Sequence, residues 1–474
     1  MVALTAYPSY QHTTSRWVPK VPEHWQVLRA KNFLREIDDR STTGEETLLS
    51  MRQYRGLVPH NDVSTKHIGP EHLIGYKRTR PNELVLNRMQ AGNAMFFRTS
   101  HAGLVSPDYA VFRTLDEDSP EYLGHLFRSP PMRGLFRSES KGLGTGTSGF
   151  LRLYSDRFAS LAIPLPSRAE QDQIVTYLRA QDAHIARFIK TKRALIGLLN
   201  EQKLQIIDHA VTRGLDASVA LRPSGIDWLG EIPAHWNVAL LKHVAEARFS
   251  GVDKHSHDHE IPVRLCNYTD VYKNDVITND MDLMRATATD AEISRLTLQA
   301  GDVIITKDSE TPDDIAVPAW VPLSLPGVVC AYHLGLLRPV TGKISGEFLF
   351  RTIGSARVAE QFHVLATGVT RFALSKHDVK NAVIPLPPVD EQATICRWIE
   401  DTCKPLNDAI QRSEDEIKLI REYRDRLIAD VVTGQVDVRG WIPGPDDAVA
   451  DEELVALGDD EETDTDGEED DGND

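Results

Sequence analysis

Two hydrophobic patterns alternate along the chain. Short apolar runs, among them Leu84-Val85-Leu86, Tyr109–Phe112, Val303–Ile305 and Leu334–Leu337, are separated by Gly, Pro, Asn and Asp and read as strands. They lie in two irregular regions, roughly 26–160 and 237–381. A helical period follows each region. After the first, apolar residues recur at Ile174, Leu178, Ile185, Phe188, Leu195, Leu199 and Ile206; after the second, at Ile395, Ile399, Leu406, Ile410, Ile417, Ile420 and Leu427. Spacings of three, four and seven place them on one stripe per helix. Ser167-Arg-Ala-Glu170 reads as a capping box that opens the first helix, hydroxyl and carboxylate each satisfying a free backbone N–H. Each stripe runs about 40 residues, or roughly 60 Å at 1.5 Å per residue. Pro405 predicts a break or kink in the second helix near Lys404. A helix apolar on one face needs a partner, and the other long helix is available. The stripes therefore predict an antiparallel pair holding two mixed domains apart. Packing of each helix on its own domain is the alternative.

The chain also repeats itself. Trp17-Val-Pro-Lys-Val-Pro-Glu-His-Trp25 returns as Trp228-Leu-Gly-Glu-Ile-Pro-Ala-His-Trp236, an offset of 211. Ile163-Pro-Leu-Pro166, Glu170-Gln171 and Val211-Thr212 return as Ile384-Pro-Leu-Pro387, Glu391-Gln392 and Val432-Thr433, each at 221. Weaker echoes join Asn82–Arg88 to Gly301–Lys307, Glu121-Tyr-Leu123 to Glu347-Phe-Leu349, and Thr145-Gly-Thr-Ser148 to Thr367-Gly-Val-Thr370. A unit of about 210 residues is too large for a solenoid repeat. Two copies predict a pseudo-two-fold object, the intramolecular analogue of an isologous dimer. The expected fold class is mixed α/β: two tandem, pseudo-two-fold related domains separated by two long antiparallel coiled-coil helices. The expected boundaries are an N-terminal segment, 1–25; a first mixed domain, 26–160; a central long helix, 161–214; a connector repeating the N-terminal segment, 215–236; a second mixed domain, 237–381; a C-terminal long helix, 382–439; and an acidic, disordered tail, 440–474.

Charge changes this picture only at the tail. The net charge of −17 argues against nucleic acid, yet no Lys or Arg follows Arg439, and 16 Asp and Glu residues lie from Asp446 to Asp474. Without them the remainder carries −1, which leaves room for a basic cleft. The tail reads as a solvated end rather than a DNA mimic. No stretch approaches the roughly 20 apolar residues of a membrane span, and Met1–Gln26 has no apolar signal region. Cys266, Cys330, Cys396 and Cys403 form no Cys-x-x-Cys pair, so a reducing cytoplasm is expected.

The repeated segments carry a resemblance. Trp228–Trp236, Ile384-Pro-Leu-Pro-Pro-Val-Asp-Glu-Gln392, and the helix end Glu422-Tyr-Arg-Asp-Arg-Leu-Ile with Val432-Thr-Gly-Gln-Val-Asp437 resemble the specificity (S) subunit of type I restriction-modification systems. Gly103-Leu-Val-Ser-Pro-Asp-Tyr109 is similar to a segment of that family's target recognition domains. The resemblance covers about 15–440. It implies that each mixed domain reads one half of a bipartite, asymmetric double-stranded DNA target. It implies that the helices set the gap and dock two modification subunits, which carry S-adenosylmethionine and methylate adenine N6. Where the system also cuts, two restriction subunits join, with ATP and Mg²⁺. No cofactor, metal or catalytic residue is expected in this chain, and no membrane partner. The departures are Gly327-Val-Val-Cys-Ala-Tyr332, which matches Gly103–Tyr109 only loosely, Pro405, and the acidic tail.

Other chemistry finds less support. No Asn-Pro-Pro-Tyr methyltransferase tetrapeptide and no phosphate-binding Gly-x-x-x-x-Gly-Lys loop occurs. Gly144-Thr-Gly146-Thr-Ser-Gly149 follows a polar run, not an apolar strand, and reads as a loop near DNA. Asp108, Glu139 and Lys141 could hold Mg²⁺ for a stand-alone site-specific nuclease. That enzyme is one alternative; a protein-binding scaffold that ignores DNA is another. His255, His257 and His259, with Asp253 and Asp258, read as a solvated loop rather than a metal site. Trp25 and Trp236, matched in the two copies, read as packing residues.

DNA reading needs cations for phosphates and planar polar side chains for bases. Lys plus Arg outnumber Asp plus Glu by 19 to 15 over 26–160, but trail by 15 to 18 over 237–381. The candidates in the first domain are Arg52, Gln53, Tyr54, Arg55, Lys77, Arg78, Arg80, Asn87 and Arg88, with Thr145, Thr147 and Ser148 on the glycine-rich loop. In the second they are Asn267, Tyr268, Thr269, Lys307, Ser309, Thr311, Thr370 and Arg371, with acidic residues beside Lys307 as acceptors for cytosine N4.

Overall fold

The strand-forming runs of each irregular region join into a four-stranded antiparallel sheet. A computed structural model describes residues 5–115, 117–143, 150–450 and 452–457. It divides into two compact units. Unit 1 comprises Met1–Arg193 with Glu414–Asp474, and unit 2 comprises Ala194–Ser413.

In unit 1, β1 (Gln26–Arg29) leads to β2 (Leu34–Ile37), β3 (Leu84–Leu86), β4 (Phe96–Arg98) and β5 (Ala110–Thr114). The sheet order is β2-β5-β3-β4, with Val111 opposite both Ile37 and Val85. β6 (Ala162–Leu165) pairs antiparallel with β1 and leads into α1, Arg168–Arg213. Unit 2 repeats the plan. β7 (Asn237–Leu240) is followed by β8 (Ala245–Phe249), β9 (Val303–Thr306), β10 (Asp308–Ser309), β11 (Pro318–Trp320) and β12 (Leu334–Pro339). The sheet order is β8-β12-β9-β11. Further on, β13 (Phe372–Ala373) pairs with β10, and β14 (Val383–Leu386) pairs with β7 and leads into α2, Val389–Val432. Both sheets fold around aliphatic and aromatic cores. The first gathers Phe96, Phe112, Phe127, Phe136 and Phe158; the second gathers Val303, Ile305, Leu337, Phe348 and Phe362.

The apolar stripes find helical partners within each unit. In unit 1, Asp182 and Lys192 of α1 meet Arg424 (2.6 Å) and Glu416 of α2, so the two segments run antiparallel. In unit 2, Ile207, Ala210 and Val211 share a core with Ile395, Ile399 and Cys403. The helices also pack on their own domains, because Ile174 and Leu178 enter the first aromatic core. Pro405 does not break α2. Asp401, whose carbonyl loses its helical donor, and Pro405 itself are both exposed, so water can take the lost bond.

The capping box is half made. Ser167 Oγ accepts from the Glu170 N–H at 3.4 Å, but the Glu170 carboxylate turns away from the helix start. It accepts from Trp25 Nε1 (3.0 Å) and Tyr7 Oη (2.7 Å) and meets His24 Nε2 at 2.8 Å. Unit 2 makes the same clasp, with Glu391 accepting from Trp236 Nε1 at 3.0 Å and meeting His235 at 2.8 Å. Both indoles are buried, as packing residues should be. The glycine ending each long helix closes against its tryptophan. Gly214 and Gly434 have φ of +72° and +73°, and a Cβ on Gly434 would fall 2.3 Å from Pro22 Cδ and 3.1 Å from the Trp25 ring.

The tail departs from expectation over its described part. Trp441 packs edge-on against Tyr177, Asp447 meets His184 at 2.7 Å, and Glu453 meets Arg187 at 3.1 Å. Leu457 is buried. Composition alone predicts disorder, but an aromatic and two carboxylates meet complementary groups on α1. Residues 458–474 lie outside the described residues.

Glu170→Ala leaves two buried donors unpaired, each costing about 1–3 kcal/mol. Its denaturation midpoint, followed by tryptophan fluorescence, is expected to fall further than that of Glu391→Ala, whose clasp has no tyrosine counterpart.

Candidate nucleic-acid interface

The nine described candidates of unit 1 separate into a presented group and a consumed one. The strands Leu49–Arg52 and Gly56–Pro59 form a hairpin with Arg52 opposite Gly56, so Gln53, Tyr54 and Arg55 make its tip. Gly56, at φ +73°, makes the turn, and a Cβ there would press on the Phe97 ring at 3.3 Å. Arg52 Nη2 donates to the Val63 carbonyl at 3.0 Å, and Arg128 Nη2 donates to the Gln53 carbonyl at 3.0 Å. Beneath the tip lies a cleft of about 130 Å³ whose lining includes Gln53, Tyr54, His125, Arg128 and Arg133. Burial holds the His125 pKa below its ordinary value. Arg80 is exposed, 3.7 Å from Asp39.

Four other candidates meet partners within the domain. Lys77 is only 3% exposed; its ammonium donates to the Tyr109 carbonyl at 2.7 Å and lies 3.7 Å from Glu36. Burial pulls its pKa below the lysine range. Arg88 pairs with the same Glu36. Arg78 is held by Glu46 at 2.6 Å and Asp39 at 3.4 Å. The Ser41 hydroxyl, then Arg78, hold the Glu46 carboxyl down at about 2. Asn87 closes a local turn, donating to Gln90 Oε1 at 3.0 Å and accepting from the Met89 N–H at 3.1 Å. These groups meet protein partners, which a count of cations along the chain cannot reveal. Thr145, Thr147 and Ser148 lie outside the described residues.

In unit 2 the candidates converge. Arg371 Nη2 donates to Asp308 Oδ1 at 3.2 Å and lies 3.1 Å from His333 Nδ1, whose own bond goes to the same carboxylate. Lys307 and His333 also bind the Asp308 carboxylate, which is 8% exposed. Burial lowers the His333 pKa. Ser309, beside Asp308, shares a 3.1 Å hydrogen bond with Tyr268, whose ring stacks on Tyr272 at 5.6 Å. Asn267 caps the helix Tyr268–Lys273, Thr311 donates to Asp314 at 2.6 Å, and Thr269 and Thr370 are exposed. Sequence reasoning missed Asp308, His333 and Tyr272 as parts of one cluster. Asp308, beside Lys307, meets cations here rather than standing open as a cytosine acceptor. His333 lies 25 residues away and gave no signal. Each unit makes a matching backbone bond of its own: the Leu153 N–H donates to the Arg88 carbonyl at 3.0 Å in unit 1, and the Leu374 N–H to the Lys307 carbonyl at 2.8 Å in unit 2.

The rival constellations meet other partners. Asp108 pairs with Arg152 at 3.3 Å, whereas Glu139, at the end of a helix, lies 3.9 Å from Arg157. Lys141 is the strand neighbour of Arg152. Among the described residues, no group of three or more His, Cys, Asp or Glu side chains is placed to hold a metal ion. His255 lies 3.2 Å from Asp253. No helix of the described residues is long and apolar enough to cross a membrane.

No protein-family model matches the chain. Similar proteins are nevertheless found along almost its whole length. The type I restriction enzyme MjaVIII specificity subunit of Methanocaldococcus jannaschii is 21% identical over 428 residues, covering 89% of this chain and 95% of that one. The type I restriction enzyme EcoKI specificity subunit of Escherichia coli K12 is 19% identical over 475 residues, covering 92% and 95%. A chain solved in work on complex assembly and conformational transition of the type I R-M system shares the fold, with a TM-score of 0.58 at 14% identity. That match covers 87% of this chain and 98% of that one.

Lys77→Ala removes a buried ammonium from its carbonyl and carboxylate partners. It is expected to cost about 1–3 kcal/mol in a denaturant melt. A fully stable Lys77→Ala protein with weakened DNA binding would restore Lys77 to the interface.

Proposed function

We infer that the chain is a specificity subunit of a type I restriction-modification system, the DNA-recognition member of the complex. The observation that carries this reading is the match to such subunits over about nine-tenths of the chain, in a fold made twice from one plan. Its work is recognition and assembly.

Each unit reads one half of a bipartite, asymmetric target in double-stranded DNA. In unit 1 the hairpin tip Gln53–Arg55, with Arg52 and Arg80, approaches the duplex. In unit 2 Lys307, Arg371, Thr370 and the polar groups around Tyr268 do so. Phosphate contacts set register, and base-edge contacts carry the sequence. The long helices set the unspecified gap and dock two modification subunits. Phe188, Leu195, Leu198 and Leu419 are at least a third exposed along these helices and offer apolar area for that contact. The modification subunits carry S-adenosylmethionine and transfer its methyl group to adenine N6. Two restriction subunits with ATP and Mg²⁺ add cleavage. The assembly works in the cytoplasm.

The test is a methylome. The full chain is co-expressed with its modification subunit, and N6-methyladenine is mapped by single-molecule sequencing. A new motif of two short fixed halves around an unspecified gap is expected. Exchange of 26–160 for the matching part of a related subunit should alter one half only. A soluble complex that methylates no such motif would overturn the reading.

A further inference from the structure

One exposed turn of unit 2 has a shape that packing does not explain. Thr367 and Ala373 exchange backbone hydrogen bonds of 3.2 and 3.0 Å, and the chain between them doubles back. Gly368 makes this possible, since a Cβ there would lie 1.9 Å from the Arg371 carbonyl oxygen. The turn is tied down at its base: β13 pairs with β10, and the Leu374 N–H binds the Lys307 carbonyl. At its tip Val369 is 94% exposed. A valine left in water contributes little to the fold and gains when another surface covers it. Arg371 follows two residues later, its guanidinium half exposed.

We propose that this turn is the element with which unit 2 reads bases. Val369 meets a thymine C5-methyl group, Arg371 binds a guanine, and Asp308 and His333 are positioning residues for Arg371. The inference rests on the DNA-recognition reading above and adds which residues read and which bases they choose. Guanine offers O6 and N7 as paired acceptors in the major groove, and thymine offers a methyl group there. Arg371 Nη2 donates to Asp308 Oδ1, while its Nε and Nη1 meet no acceptor among the described residues. A guanidinium anchored at one nitrogen is already oriented for a two-pronged contact and loses less freedom on binding. Lys307 and Arg371 both face the Asp308 carboxylate, while Asp314 is held by Thr311 and Tyr272. A neutral His333, as its burial favours, adds no repulsion against Arg371.

The experiment uses the full chain in complex with its modification subunit. The wild-type methylome first defines the motif. Arg371→Lys keeps the charge but loses the fork, and Val369→Ala shortens the apolar tip. Arg371→Lys is expected to relax one guanine position, and Val369→Ala one thymine position, both in the same half-site. Competition with duplexes substituted at the guanine should show discrimination falling from about 5- to 150-fold to about 2-fold or less. Asp308→Asn should relax the same guanine position while leaving the other half unchanged, which a general loss of structure would not do. Both surface variants should melt with the wild type, so folding does not confuse the result. Unchanged motifs in Arg371→Lys and Val369→Ala overturn this proposal and leave the recognition role standing. A wild-type complex without a bipartite motif overturns the recognition role, and this proposal with it.

Discussion

The Glu170 carboxylate is almost shut off from water, and it sits where three parts of unit 1 meet. It stands in the first turn of α1, yet its oxygens hold the indole of Trp25, the phenol of Tyr7 and the ring of His24. A buried carboxylate is tolerable only when its lone pairs are filled, so those donors must stay where they are. The long helix is thereby locked to the segment that precedes the recognition domain. Glu391 repeats the lock with Trp236 and His235.

The second constraint is what becomes of positive charge. Unit 1 has a surplus of cations in its mixed domain, and several of them meet carboxylates of that domain. Lys77 and Arg88 converge on Glu36, while Arg78 is divided between Glu46 and Asp39. Each pairing ties a cation to a carboxylate of the same domain. Unit 2 has a deficit, and it gathers Lys307 and Arg371 around one carboxylate beside an exposed turn. The balance of charge along a segment is therefore a poor guide to which cations the fold sets against carboxylates.

The tail shows the same limit in reverse. Its carboxylates look like a solvated run, but Trp441, Asp447 and Glu453 each meet a matching group on α1. Local composition was a poor guide to contact, because the cation that receives Glu453 lies 266 residues earlier in the chain.

Taken alone, the sequence determined the duplicated plan, the two long amphipathic helices, the strand runs of both sheets and the family likeness. These depend on periodicity and on self-comparison, which are local or repeated signals. The buried tryptophans were legible because the same residue stood at matched places in both copies. The tertiary structure decided which cations are consumed and which are displayed, that Glu170 clasps Trp25 rather than completing its cap, and that α2 continues through Pro405. It also decided that Asp308, His333 and Arg371 form one cluster. The physical reason is shared: each outcome depends on a partner brought close by folding or on access to water, and neither is encoded in the spacing of neighbours along the chain.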